Sequence, residues 1–104
     1  MKSDKPAALV TGAATGIGRS AALALARNGY DVVINFSRSE EAAKATATDA
    51  EAAGARTLLY RCDVSDDACV RAMLDAAREK FGRLDVLINN AGTTIDVESK
   101  NLAG

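Results

Sequence analysis

Gly12, Gly16 and Gly18 fall within the stretch Thr11-Gly12-Ala13-Ala14-Thr15-Gly16-Ile17-Gly18. The chemistry open to such a stretch is anion binding. Gly12 allows a tight turn from a strand into a loop. Gly16 lets the backbone come close to a pyrophosphate, and Gly18 lets a helix pack tightly on the preceding strand. The N–H groups at the start of that helix, with the helix dipole behind them, then hold negative charge. The spacing is G-x-x-x-G-x-G, not G-x-G-x-x-G. No Lys follows Gly18, which excludes a G-x-x-x-x-G-K-S/T phosphate loop.

A second group points to the kind of nucleotide. At the end of a second strand in a dinucleotide fold, an acid reads the ribose 2′-hydroxyl of NAD, whereas an Arg accommodates the 2′-phosphate of NADP. The sequence there is Asn35-Phe36-Ser37-Arg38-Ser39, with no acid in reach; Asp31 lies at the wrong end of the strand. Arg38 offers a forked donor and Ser37 a hydroxyl, both suited to phosphate oxygens. NADP(H) is therefore expected in preference to NAD(H).

Other chemistry is excluded or unsupported. The chain has no His, which removes Ser-His and Cys-His nucleophile arrangements. Cys62 and Cys69 are not spaced as C-x-x-C, and a zinc site would need carboxylates for its other ligands, so no metal is expected. Both cysteines read as small, buried or half-buried apolar residues. With 13 basic and 14 acidic residues the net charge is −1, which gives no field for nucleic acid or an anionic membrane. No apolar run approaches a membrane span, and no signal core follows Lys2 and Lys5. The expected compartment is the cytoplasm.

The elements that must position these residues alternate. Ala7 to Thr11 reads as a strand. Gly16 to Asn28 reads as a helix, with Ile17, Ala21, Leu25 and the Ala residues between them on its apolar face and Gly29 as its stop. Val32, Val33, Ile34 and Phe36 mark a second strand. Ser37 and Glu40 have the S-x-x-E form of a capping box, opening a helix that ends at Gly54. Thr57 to Cys62 is a third strand. Ser65, Asp66 and Asp67 start a third helix that runs to about Phe81 and stops at Gly82. Leu84 to Asn89 is a fourth strand. This β-α-β-α-β-α-β order implies an α/β fold with parallel strands, each an apolar run covered by helices on both faces. The abundant Ala in the helices suits close packing on a sheet.

With these residues placed, the sequence resembles the short-chain dehydrogenase/reductase family, in its single-domain branch. TGAATGIG at Thr11 to Gly18 is similar to that family's TGxxxGxG. Asp63-Val64 resembles its adenine-contacting pair, and Asn89-Asn90-Ala91-Gly92 its NNAG; Gly82-Arg83-Leu84-Asp85 is also family-like. The resemblance runs from roughly Lys5 to Gly92, and 3-oxoacyl-acyl-carrier-protein reductases and sugar dehydrogenases are especially similar. It implies the N-terminal half of a Rossmann-type doubly wound parallel sheet, strand order 3-2-1-4 with flanking helices. Residues 1–104 form a single NADP(H)-binding segment on this reading.

The resemblance also implies roles. Gly12, Ile17 and Gly18 line the cofactor diphosphate, with Gly16 setting the turn. Ser37 and Arg38 meet the 2′-phosphate. Asp63 accepts from the adenine amino group and the Val64 backbone supports the ring. Asn90, Ala91 and Gly92 pass along the adenine ribose and keep the fourth strand in register. The family's Tyr-x-x-x-Lys has no counterpart; Tyr30 and Tyr60 sit in the wrong elements, and no catalytic residue is assigned, Asn101 included. The segment is expected to be cut off before the catalytic half, with the fourth strand left at a sheet edge. The implied activity of the full protein is NADP(H)-dependent hydride transfer on a small-molecule carbonyl or secondary alcohol, in a homo-oligomer. The alternatives are a non-catalytic dinucleotide-binding module, or an inactive fragment.

Overall fold

The computed structural model describes residues 5–90. Seven elements alternate as expected: β1 (Ala7–Val10), α1 (Gly16–Arg27), β2 (Asp31–Phe36), α2 (Glu40–Ala52), β3 (Thr57–Arg61), α3 (Asp67–Phe81) and β4 (Val86–Ile88). The four strands form one sheet in the order β3-β2-β1-β4. All neighbours are parallel, with Ala7 opposite Asp31, Ala8 opposite Val86 and Phe36 opposite Arg61. Parallel pairing requires a crossover between strands, and the three helices supply it.

Alternation along the strands divides the core into two layers. Val10, Val32, Ile34 and Phe36 pack with Ala22, Ala26, Ala43, Ala47 and Ala50 from α1 and α2. Ala7, Leu9 and Val33 pack with Val70, Met73, Leu74, Ala77 and Phe81 from α3. β1 and β2 are buried throughout. β3 and β4 are the edges of the described sheet, and Leu58 to Tyr60 and Val86 to Ile88 are only partly covered. The expectation of coverage on both faces therefore holds for the central pair and not for the outer two.

Three local expectations are corrected. Ile17 is not on the buried face of α1: that face is the row Gly18, Ala22 and Ala26, and Ile17 is 79% exposed. One residue before Gly18 is a rotation of about 100° away from the sheet. Ser37 does not cap α2; the cap position is Ser39, without a side-chain cap bond. Glu40, the other half of the expected box, is drawn instead to Arg61. α3 is capped by Asp66, whose carboxylate accepts from the Cys69 N–H, while Ser65 bonds Asp63.

Polar ties fix one end of the sheet. At the N-terminal end, buried Asp31 receives a forked pair from Arg56 at 3.0 and 3.1 Å and the Arg56 backbone N–H at 2.9 Å. Asp85 accepts from the Ala7 N–H at 2.8 Å and from Arg83. The Arg83 fork, its largest cause, and the Ala7 N–H hold the Asp85 carboxyl below the usual range, against a smaller opposing effect of burial.

Candidate nucleotide-binding site

The expected site residues that the structure describes lie at the C-terminal ends of the four strands. In open α/β sheets, ligands bind in the crevice outside the carboxyl ends of the strands. The glycine turn leaves β1 through Gly12, which has φ +61°, and Gly16 opens α1 at φ +59°. Gly18 serves a different need. A Cβ there would stand 2.0 Å from the Gly12 carbonyl oxygen and 2.7 Å from Asn90 Nδ2. The start of α1 therefore lies directly on the turn.

A partly buried hydrogen-bond frame holds that turn. Thr11 Oγ1 donates to Asn89 Oδ1 at 3.0 Å and accepts the Asn90 N–H at 2.9 Å. Asn90 Nδ2 donates to the Gly12 carbonyl at 3.2 Å. Asn35, 2% exposed, accepts the Gly12 N–H at 3.2 Å and donates to the Tyr60 and Cys62 carbonyls at 3.3 and 3.0 Å. One side chain thus joins the ends of β1, β2 and β3. Thr46 of α2 donates to the Ala14 or the Ala42 carbonyl, at 3.3 and 3.2 Å, and receives Arg19 of α1 at 3.1 Å; Arg19 also pairs with Asp49. Both polar groups of Gly12 are thus engaged, which leaves the start of α1 as the exposed part of the turn. There Thr15 makes no side-chain cap bond, the first turn has no acid, and Thr15, Gly16 and Ile17 are exposed.

The second group lies beside it. Ser37, Arg38 and Asp63 line one cavity with Arg61, Cys62 and Cys69. The glycines are not among its lining residues. Asp63 Oδ1 accepts both the Ser65 hydroxyl at 2.7 Å and the Ser65 N–H at 3.0 Å. These bonds, with Arg38 nearby, lower its carboxyl below the ordinary range despite a smaller opposing effect of desolvation. Val64 packs half-buried on the α3 side of the core. Burial, reinforced by Cys69 and by Asp66 and Asp63, pushes the Cys62 thiol up to about 12. Asn90 belongs to the frame; Ala91 and Gly92 lie outside the described residues.

Sequence reasoning missed Asn35, Thr11, Thr46 and Arg61. Arg61 reaches the cavity because Phe36 and Arg61 are register partners, a lateral neighbourhood that linear spacing does not carry. Asn35 had a faint signal, as a polar residue within an otherwise apolar strand that began at Asp31. Among the described residues no cluster of His, Cys, Asp and Glu could hold a metal ion, and no helix is long and apolar enough to cross a membrane.

The sequence model of the family described as short chain dehydrogenase matches residues 6–103. The chain belongs to the short chain dehydrogenase family. It is 47% identical over 96 residues to the 3-oxoacyl-acyl-carrier-protein reductase FabG of Staphylococcus aureus (strain Mu50), covering 92% of this chain and 39% of that protein. A solved structure from Burkholderia xenovorans, described as a short-chain dehydrogenase/reductase, superposes with TM-score 0.85 at 36% identity, over 93% of this chain and 40% of that one. A Burkholderia cenocepacia protein described as a dehydrogenase, solved with NADP bound, superposes with TM-score 0.78 at 32% identity, over 82% of this chain and 33% of that one. The chain thus spans well under half the length of these short chain dehydrogenase relatives.

Proposed function

We propose that this segment binds the adenosine and diphosphate part of NADP(H) for an oxidoreductase that transfers hydride to or from a small-molecule carbonyl or secondary alcohol. The observation that carries the reading is the cavity beyond β2 and β3, where Ser37 and Arg38 stand opposite Asp63. The Arg38 side chain forms no hydrogen bond or ion pair among the described residues, while its backbone carbonyl accepts the Glu40 N–H at 3.0 Å, and no acid occupies the end of β2. A phosphate monoester would find a fork and a hydroxyl there. The uncapped start of α1, from Gly16 through Ile17 to Gly18, supplies N–H donors for the diphosphate. On this reading Asp63, whose Oδ1 holds Ser65, accepts from the adenine amino group, and the Val64 backbone supports the ring. On the same reading Asn90 runs along the ribose; Ala91 and Gly92 lie outside the described residues.

The nicotinamide would supply or accept the hydride, and this part of the chain binds and orients. The relative named as a 3-oxoacyl-acyl-carrier-protein reductase and the neighbour holding NADP support the substrate class and the cofactor. On this reading the whole protein works as a cytoplasmic homo-oligomer. The test is Arg38→Asp: NADPH binding should weaken and NADH binding should not. Unchanged preference between the two in that variant defeats the cofactor assignment.

A further inference from the structure

Arg61 deepens the reading just proposed and rests on it. Its guanidinium is the second one lining the cavity of Ser37, Arg38 and Asp63. It lies over the Phe36 ring, 5.3 Å from the centroid. From there Nη1 donates to the Ser37 carbonyl at 3.1 Å and Nη2 donates to Glu40 Oε1 at 2.8 Å. Arg61 is thus fixed at the rim of the turn that carries Ser37 and Arg38, with a carboxylate as its partner. The two side chains are 57% and 46% exposed, so water screens the pair and it holds weakly. A 2′-phosphate carries more charge than a single guanidinium neutralises, and a phosphate is a stronger forked acceptor than a screened carboxylate.

We propose that Arg61 is a second cation of the 2′-phosphate site, held beside it by Glu40 and released to the phosphate when the nucleotide binds. Glu40 then acts as a built-in competitor for the ribose phosphate. It stays within reach of Lys44, at 3.7 Å, once Arg61 leaves. The arrangement makes cofactor preference a contest between one carboxylate and one phosphate for one guanidinium.

The probes are adenosine 2′,5′-bisphosphate and 5′-AMP, which differ only in the 2′-phosphate, titrated calorimetrically into the purified protein. Arg61→Met should weaken the bisphosphate about tenfold, the size of one charge-assisted hydrogen bond, and leave 5′-AMP unchanged. Glu40→Gln should strengthen the bisphosphate by about threefold, and that gain should vanish in the Glu40→Gln/Arg61→Met double variant. Equal weakening of both probes by Arg61→Met would mean that Arg61 only shapes the turn, and would overturn the proposal. So would a Glu40→Gln gain that survives in the double variant. Arg61→Lys, which keeps a charged stem over Phe36, should retain part of the preference for the bisphosphate and serves if the Met variant unfolds; full retention counts against the proposal. Arg38→Asp separates the two claims. If it abolishes the preference while Arg61→Met does not, only the role of Arg61 falls; if neither changes it, the 2′-phosphate reading falls as well.

Discussion

Gly18→Ala should destabilise the protein although it places a better helix former inside α1. In an exposed helix interior the exchange gains about 1 kcal/mol. Here the added Cβ stands 2.0 Å from the Gly12 oxygen and 2.8 Å from the Gly12 carbonyl carbon, both backbone atoms that no rotamer change can move. Relief requires α1 and the turn to separate by about 1 Å, and overpacking on that scale costs about 1–3 kcal/mol. The separation also breaks the 3.2 Å bond from Asn90 to Gly12, worth about 1 kcal/mol. The net loss is about 2 kcal/mol, or roughly 8–16 °C in Tm for a unit of this size. Gly16 provides the control within the same motif. It has open space around its Cβ position, but its φ of +59° disfavours other residues. Gly16→Asn should therefore recover much of what Gly16→Ala loses, because Asn tolerates the left-handed region. Gly18→Asn should be worse than Gly18→Ala. Thermal melts followed by circular dichroism decide the matter. A Gly18→Ala protein as stable as the parent refutes the close approach of α1 to the turn.

Asn35→Leu should cost about 2–4 kcal/mol in urea denaturation, since it strands the Gly12 N–H and two strand-end carbonyls; a loss under 1 kcal/mol contradicts the bridging role. Under native conditions iodoacetamide should label Cys69 well before Cys62, whose thiol is buried and pushed up to about 12; mass mapping that finds Cys62 labelled first refutes this. The same shift has a signed effect on stability. The folded state favours the protonated thiol, so its contribution is full below the ordinary value of 9.0 and is lost as pH rises from there towards about 12. Cys62→Ala should flatten that alkaline decline. Asp85 acts at the other limb. Its folded pKa is lowered, so its contribution is present above the ordinary 3.8 and lost as pH falls through the folded value. Asp85→Asn should weaken the protein at neutral pH and flatten the acid limb, and an unchanged acid limb contradicts the Arg83 and Ala7 contacts.

The fold was legible because its signals are local. β1 and β2 are apolar runs, and Gly29, Gly54 and Gly82 follow their helices with positive φ, as expected of stops. The glycine turn, Ser37, Arg38 and Asp63 were legible because each stands at a strand end, and the sheet order puts those ends side by side. What escaped depends on lateral contact. Arg61 and Asn35 act across β2 and β3. Ser37 lost its expected capping role because α2 opens only at Glu40, which puts Ser39 at the cap position. Ile17 was misplaced because a helical stripe of apolar residues does not say where the sheet ends. Its exposure beside the uncapped start of α1 leaves an apolar side chain where the diphosphate is proposed to bind.

The most direct test of the central claim is calorimetric titration of the purified protein with NADPH and with NADH. The 2′-phosphate should meet charge-assisted bonds at Arg38 and Ser37 that NADH cannot make. NADPH should therefore bind about tenfold to a hundredfold more tightly. Equal affinity, or tighter NADH, would contradict the account.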